Sequence, residues 1–232
     1  MFSFFITLTH KTQLSHDVYE LIYALDSAQH ILPGQFLLCD TDIENPKLRR
    51  AYSVSDYRGD SVHFIIKKIP NGKGGSKAIC EQEIGHTMQV WWPSGNFILP
   101  KNIPERVVFI GTGTGFAPLY FQAKHLLENT SNASISFLFG VREEKDLFYG
   151  EKLSEWINKY PQFSYQYCLS RSTQDTSLFY PGRVTDYLRS NPYLIATNTL
   201  YSICWSPQMV KEIREILKSH GVEKEYILFE QY

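Results

Sequence analysis

Three glycines in five residues, Gly111-Thr112-Gly113-Thr114-Gly115, directly follow the apolar run Arg106-Val107-Val108-Phe109-Ile110 and precede a helix-like stretch near Ala117–Leu127. A run this compact and apolar is what a strand buried on both faces of a parallel sheet shows. Glycines at its end let backbone approach a ligand closely, and the free amides of a helix start favour a pyrophosphate there. The spacing is Gly-x-Gly-x-Gly, followed by Phe116-Ala117-Pro118, so Phe116 stands where the common dinucleotide fingerprint needs its third glycine. The bland reading is a tight strand-to-helix turn, although three glycines exceed what a turn requires.

The residues around this loop divide the chain in two. From Pro104 onward, apolar runs at Ile135–Phe139, Phe163–Ser170, Leu200–Cys204 and Tyr226–Phe229 alternate with helical stretches. Those stretches lie near Glu151–Lys159, from Arg183, and over a last segment with Met209, Val210, Ile213, Ile216 and Leu217 on one face. That alternation predicts an α/β domain over 104–232 with a doubly wound parallel sheet and right-handed crossovers. Up to Pro100 the texture is different. Short β-like runs, Phe36–Cys39, Ser61–Ile66 and Met88–Trp92, are broken at Pro33-Gly34, Pro70-Asn71-Gly72 and Pro93-Ser94-Gly95-Asn96. They predict an antiparallel β-barrel over 1–100, with Pro100–Pro104 as linker. A length of 232 residues accommodates both domains.

Composition excludes several classes. A formal net charge of −1 gives no concentrated basic surface for nucleic acid. Cys39, Cys80, Cys168 and Cys204 are scattered without a Cys-x-x-Cys pair, so no metal site, iron–sulfur cluster or disulfide framework is expected. The apolar start Met1–Ile6 has no basic residues and ends by Thr7, and no run of about 18 apolar residues exists. A soluble cytoplasmic protein without a membrane span is expected, and a monomer. Aromatic residues reach 15%, which directs attention to a flat, aromatic ligand.

Two weaker motifs lie in the barrel half. Asn71-Gly72-Lys73-Gly74-Gly75-Ser76-Lys77 lacks the spacing of a P-loop. Its amides at Gly74–Ser76 can cradle a phosphate, or it is a flexible hairpin loop. Arg50-Ala51-Tyr52-Ser53 combines a guanidinium fork, a flat ring and a hydroxyl. Strand alternation puts Arg50 and Tyr52 on one side and Ser53 on the other, unless the chain bends there.

Taken in order, these motifs resemble the ferredoxin–NADP(+) reductase superfamily, and most closely its bacterial flavodoxin/ferredoxin reductases. Pro33-Gly34-Gln35-Phe36 is similar to the barrel's entry motif, Arg50-Ala51-Tyr52-Ser53 to the Arg-x-Tyr-Ser flavin motif, and Gly74-Gly75-Ser76 to the loop holding the FAD pyrophosphate. Gly111–Pro118 is similar to the Gly-Thr-Gly-x-x-x-x-Pro nucleotide loop, and Gly140-Val141-Arg142 with Asp146-Leu147-Phe148-Tyr149 to the second-strand region. Cys204–Met209 is similar to Cys-Gly-x-x-x-Met, and Glu230-Gln231-Tyr232 to the Glu-x-Tyr ending.

The resemblance implies an FAD-binding barrel joined to an NADP-binding domain. It implies that Arg50 binds the flavin phosphate, Tyr52 stacks on the isoalloxazine, Ser53 lies near the hydride-accepting nitrogen, and Tyr232 covers the other ring face. Cys204 and Glu230 would line the nicotinamide position; by residue type alone they are a buried strand cysteine and an exposed carboxylate. Ser170-Arg171 is similar to the pair that binds the extra phosphate of NADP, with Arg183 as a possible aid and no acidic residue before Asp175, so NADPH is expected over NADH. The departure is Trp205, which occupies the motif's glycine position and would crowd the nicotinamide approach. The implied activity is hydride transfer from NADPH to bound FAD, then single-electron transfer to a ferredoxin or flavodoxin. Lys47, Arg49, Lys67, Lys68 and Lys73 would attract an acidic carrier. The alternatives are a reductase of free flavin, the reductase component of an oxygenase system, and a nucleotide-binding subunit without catalysis.

Overall fold

A computed structural model of the chain describes residues 3–44, 47–129, 132–172 and 178–232, with backbone alone at 44 and 47. The chain divides into two compact units, Met1–Ile98 and Leu99–Tyr232.

The first unit is a closed antiparallel barrel. Its strands are β1 (Ser3–Gln13), β2 (Val18–Leu25), β3 (Phe36–Glu44), β4 (Lys47–Tyr57), β5 (Ser61–Lys67) and β6 (Thr87–Ser94), joined in the order β1-β2-β5-β4-β3-β6. Alternation sends Ile6, Leu8, Leu21, Tyr23, Leu37, Val54, Val62, Phe64, Met88 and Val90 inward, all essentially inaccessible. Tyr23 brings a hydroxyl into that interior, and it is satisfied by donating to Gln82 Oε1 at 2.7 Å. Two expectations change here. Gly74–Ser76 is not a hairpin loop but opens the helix α1 (Gly75–Glu81), which buries Ile79 and Cys80 and packs on β3, β4 and β5. Pro93 and Ser94, read as a break, still belong to β6, where the register with β3 shifts between Phe36 and Leu38. A bulge of this kind re-aims side chains, and Trp92 stands exposed beside it.

The second unit is a six-stranded, fully parallel sheet. It contains β7 (Arg106–Thr112), β8 (Ser134–Val141), β9 (Phe163–Leu169), β10 (Phe179–Pro181), β11 (Thr199–Trp205) and β12 (Ile227–Gln231), in the order β10-β9-β8-β7-β11-β12. The three-residue β10 has no signal in the sequence; among the described residues it pairs with β9 alone. Helices cover both faces, which is why the central strands read as unbroken apolar runs. On one side α2 (Phe116–Asn129) and α3 (Gly150–Lys159) enclose an aromatic core in which Phe116 touches Tyr120, Phe137, Phe139, Phe148 and Tyr149. On the other, α4 (Val184–Ser190) and α5 (Pro207–Ser219) pack Leu188, Val210, Ile213 and Leu217 against Val108, Ile110, Tyr201 and Ile203. Much of the aromatic content therefore serves packing in this unit. Among the described residues no helix is long and apolar enough to cross a membrane.

Candidate functional site

In the barrel unit, β4 presents the Arg50 motif and α1 presents the glycines. Cys39 lies opposite Arg50, Leu37 opposite Tyr52 and Phe36 opposite Ser53 in an unbroken register. Arg50 and Tyr52 thus share a face while Ala51 and Ser53 take the other; the irregularity between β4 and β5 falls two residues later, between Val54 and Asp56. Tyr52 is half-buried against Phe64, ring centroids 6.4 Å apart, and burial pushes its phenol up. Gly74 adopts φ +91° and caps α1, a conformation that suits glycine. Gly75 is packed so tightly against the stem of Arg50 that an added Cβ would lie 2.8 Å from Arg50 Cγ. The Arg50 stem and the Gly74–Ser76 backbone are thus brought together, with Arg50 Nη1 donating to the Arg49 carbonyl at 2.8 Å and Ser76 Oγ accepting the Ile69 amide at 3.2 Å. An arginine packed on a turn that opens with two glycines fits a pyrophosphate group.

In the sheet unit the chain builds β7 through β10 outward, then returns to place β11 on the other side of β7. The strand order reverses between β7 and β11, and in open α/β sheets ligands bind beyond the carboxyl ends of the strands at such a reversal. The glycine loop lies there. Gly111 and Thr112 finish β7, Gly113–Gly115 form a 3-10 turn, and α2 starts at Phe116 with Pro118 in its first turn. A Cβ on Gly115 would lie 2.4 Å from the Cys204 carbonyl oxygen, so this glycine lets the turn close on β11.

The other strand ends collect most of the remaining candidates. Cys204 pairs with Glu230 across β11 and β12, and the Tyr232 hydroxyl donates to Glu230 Oε2 at 2.8 Å. Burial pushes the Cys204 thiol up, and the Glu230 carboxylate adds to this. Beside them the Trp205 indole meets the Tyr232 ring edge-on, centroids 6.1 Å apart. Ser170 and Arg171 follow β9, their amides donating to Val141 and Arg142 at the end of β8. Sequence reasoning missed the next residue, Glu143, whose carboxylate pairs with Arg171 at 3.1 Å and with Lys145 at 2.8 Å. These two cations hold the Glu143 carboxyl below the usual carboxylate range. Arg183 caps α4, and Asp175 lies outside the described residues. Ser53 belongs to the barrel unit and Cys204, Glu230 and Tyr232 to the sheet unit.

The basic surface predicted for a carrier is altered by its partners. Lys67 pairs with Asp17 at 2.6 Å, Lys68 with Glu81 at 2.8 Å, and the Arg49 guanidinium lies 3.9 Å from the centre of the Trp91 ring. The Lys47 side chain lies outside the described residues.

Comparison with known proteins agrees with this division. A model of the oxidoreductase FAD-binding domain matches residues 5–98, and one of the oxidoreductase NAD-binding domain matches 109–215. The propane 2-monooxygenase reductase component of Rhodococcus jostii is 29% identical over 206 residues, 86% of this chain; the chain spans 55% of that protein's length. The fold is shared with the Amycolatopsis cytochrome P450 reductase, at a TM-score of 0.89, 21% identity, and coverage of 99% of this chain and 69% of that one. It is shared also with a ferredoxin NADP+ reductase from Neisseria gonorrhoeae, at a TM-score of 0.87, 18% identity, and coverage of 99% and 98%. Matched by the two models in tandem, one on its barrel and one on its parallel sheet, the chain belongs to the ferredoxin–NADP(+) reductase superfamily of FAD- and pyridine-nucleotide-binding oxidoreductases.

Proposed function

We propose that the chain takes hydride from NADPH onto a bound FAD and delivers single electrons to a separate protein carrier of the ferredoxin or flavodoxin type. The observation that carries the reading is one chain holding both cradles: Arg50 against Gly75 on the barrel, and the glycine loop at the reversal point of the sheet. FAD supplies the conversion between two-electron and one-electron transfer, which side chains do not perform. The protein's part is to bind and orient. On the barrel unit, Arg50 and the Gly74–Ser76 backbone would hold the phosphates and Tyr52 would offer its ring to the flavin; on the sheet unit, Cys204 and Glu230, at paired strand ends with Tyr232 bonded to Glu230, would be offered to the nicotinamide. The amides of Gly111–Gly115 receive the dinucleotide.

NADPH is favoured over NADH in this reading because Arg171 directly follows β9, where it and Lys145 share the Glu143 carboxylate. A guanidinium at this place suits a ribose phosphate, with Ser170 adjacent.

A second reading, the reductase component of an oxygenase system, is supported by the likeness to the propane 2-monooxygenase reductase component. In that case the acceptor is an iron–sulfur or oxygenase protein. Anaerobic absorbance titration of the purified protein with NADPH and then NADH tests the reading. A yellow protein bleached preferentially by NADPH is expected, followed by stoichiometric reduction of added ferredoxin or flavodoxin. A colourless protein that oxidises NADPH only with added free flavin would make flavin a substrate and overturn it.

A further inference from the structure

Trp205 stands where the resembling reductases carry glycine, and the structure gives the position a glycine's backbone. Its φ is +149°, a region that residues with a Cβ seldom adopt. The strain is held from several sides. Trp205 pairs with Gln231 at the end of the β11–β12 ladder, and its carbonyl accepts the Tyr232 amide at 3.4 Å. Tyr232 then meets the indole edge-on.

Held in this way, the indole lies on the second glycine of the nucleotide loop. A Cβ on Gly113 would sit 3.3 Å from Cζ2, 3.4 Å from Cε2 and 3.6 Å from Cη2 of Trp205. A point nearly equidistant from three atoms of one ring lies near the ring's axis, so the indole's flat face covers Gly113. Gly113 itself has φ +52° and opens the 3-10 turn that leads into α2. The first amides of such a turn have no intrahelical partner and are the donors a pyrophosphate would use. An aromatic plate therefore lies against the residue that opens this turn, on the side where its side chain would stand.

We propose that Trp205 sets the nucleotide affinity: a pyridine dinucleotide reaches the Gly113–Gly115 amides only after the indole has left Gly113. The inference rests on the reading of this loop as the nucleotide site. When the competent arrangement is only fractionally populated, apparent affinity falls by that fraction. Trp205→Gly takes up the same φ without strain and removes the plate, so it should bind more tightly than the parent protein.

Isothermal calorimetry of the FAD-loaded protein with NADP+ and with NAD+ tests this on the parent, Trp205→Gly and Trp205→Phe. The expected result is a Kd about tenfold lower in Trp205→Gly for the preferred nucleotide, equivalent to about 1.4 kcal/mol. Trp205→Phe, with its smaller ring, should fall between. Unchanged affinity would overturn the proposal, and weaker affinity would do so by making the indole a stacking partner. Should Trp205→Gly fail to fold, Trp205→Phe decides: binding no tighter than the parent's overturns the proposal. Absence of binding by all three proteins to either nucleotide would remove the nucleotide reading of the loop, and this inference with it.

Discussion

The three loop glycines make separable demands, and Gly115→Ala should be the most damaging change. An added Cβ at Gly115 would lie 2.4 Å from the Cys204 carbonyl oxygen, 2.9 Å from its carbonyl carbon and 3.2 Å from Trp205 Cβ. The first two are backbone atoms of a strand bonded on one side to β7 and on the other to β12. No rotamer can absorb the methyl group, so the turn or the strand must move. Overpacking costs about 1–3 kcal/mol, and fixed backbone on both sides places this case near the upper end. At Gly113 the neighbour is the movable indole, 3.3 Å away, and the cost is mainly that of a Cβ at φ +52°, about 1–2 kcal/mol. At Gly111 a Cβ would meet Leu119 Cδ1 at 2.6 Å, a side-chain end but a fully buried one. The expected order of destabilisation is Gly115→Ala, then Gly111→Ala, then Gly113→Ala. For a chain this long about 3 kcal/mol corresponds to roughly 6–12 °C in Tm. Thermal melts followed by circular dichroism measure it. If Gly115→Ala melts with the parent protein, or above Gly113→Ala, the close approach of the turn to β11 is not what requires glycine.

Other consequences can be checked with simpler variants. Arg171→Ala should raise KM for NADPH by about 10–100-fold, the loss of a charged hydrogen bond, while NADH kinetics change little; equal losses would remove Arg171 from the phosphate site. Glu143→Gln should shift preference further toward NADPH, because the remaining cations lose their carboxylate, and an unchanged NADPH/NADH ratio of kcat/KM would refute this. Lys145 and Arg171 hold the Glu143 carboxyl below its ordinary value of 4.5, so any stability it contributes is present above that pH and lost as pH falls through the folded-state value. A Tm difference between parent and Glu143→Gln at neutral pH should accordingly vanish in acid, and one that persisted there would have another origin. All four cysteines are buried and free, and burial pushes the Cys80 and Cys168 thiols up to about 12. A thiol reagent at neutral pH should label four groups promptly only in denaturant; prompt labelling of the native protein would contradict that burial.

The legible parts of the fold are those set by local pattern. The runs at Val107–Ile110 and Leu200–Cys204 could be read as buried strands because both sheet faces are covered and every side chain along them is apolar or small. The last helix was equally visible, since Met209, Val210, Ile213, Ile216 and Leu217 repeat at helical spacing and all are buried. Helix α1 was not, because its first turn is Gly75-Ser76-Lys77 and glycine is among the poorest helix formers. Burial of Ile79 and Cys80 on the barrel stabilises it, and that is a tertiary effect. The three residues of β10 likewise hold their place through pairing with β9. At the candidate site, the motifs marked the loops but not their neighbours. The stem of Arg50 on Gly75 and the indole of Trp205 on Gly113 join residues 25 and 92 positions apart in sequence (75 − 50 and 205 − 113), and no local spacing encodes either contact.

Charge shows the same limit, with consequences for function. Counted along the chain, Lys67 and Lys68 make a basic patch; in the fold each is committed to a carboxylate, Asp17 and Glu81. Such pairs contribute little field at a distance, because a neutralised cation neither steers a partner nor repels one strongly. Carrier recognition resting on these two lysines would require their ion pairs to exchange partners at contact. The opposite holds for Arg171. Its sequence neighbour Ser170 suggested a phosphate site, and the contact with Glu143 at first counts against it. Lys145 shares that carboxylate, so Glu143 is not committed to Arg171 alone, and Asp146 acts on Lys145 in turn. On the proposed reading of this site, a change at Glu143 or Lys145 should move the NADPH/NADH preference as one at Arg171 does.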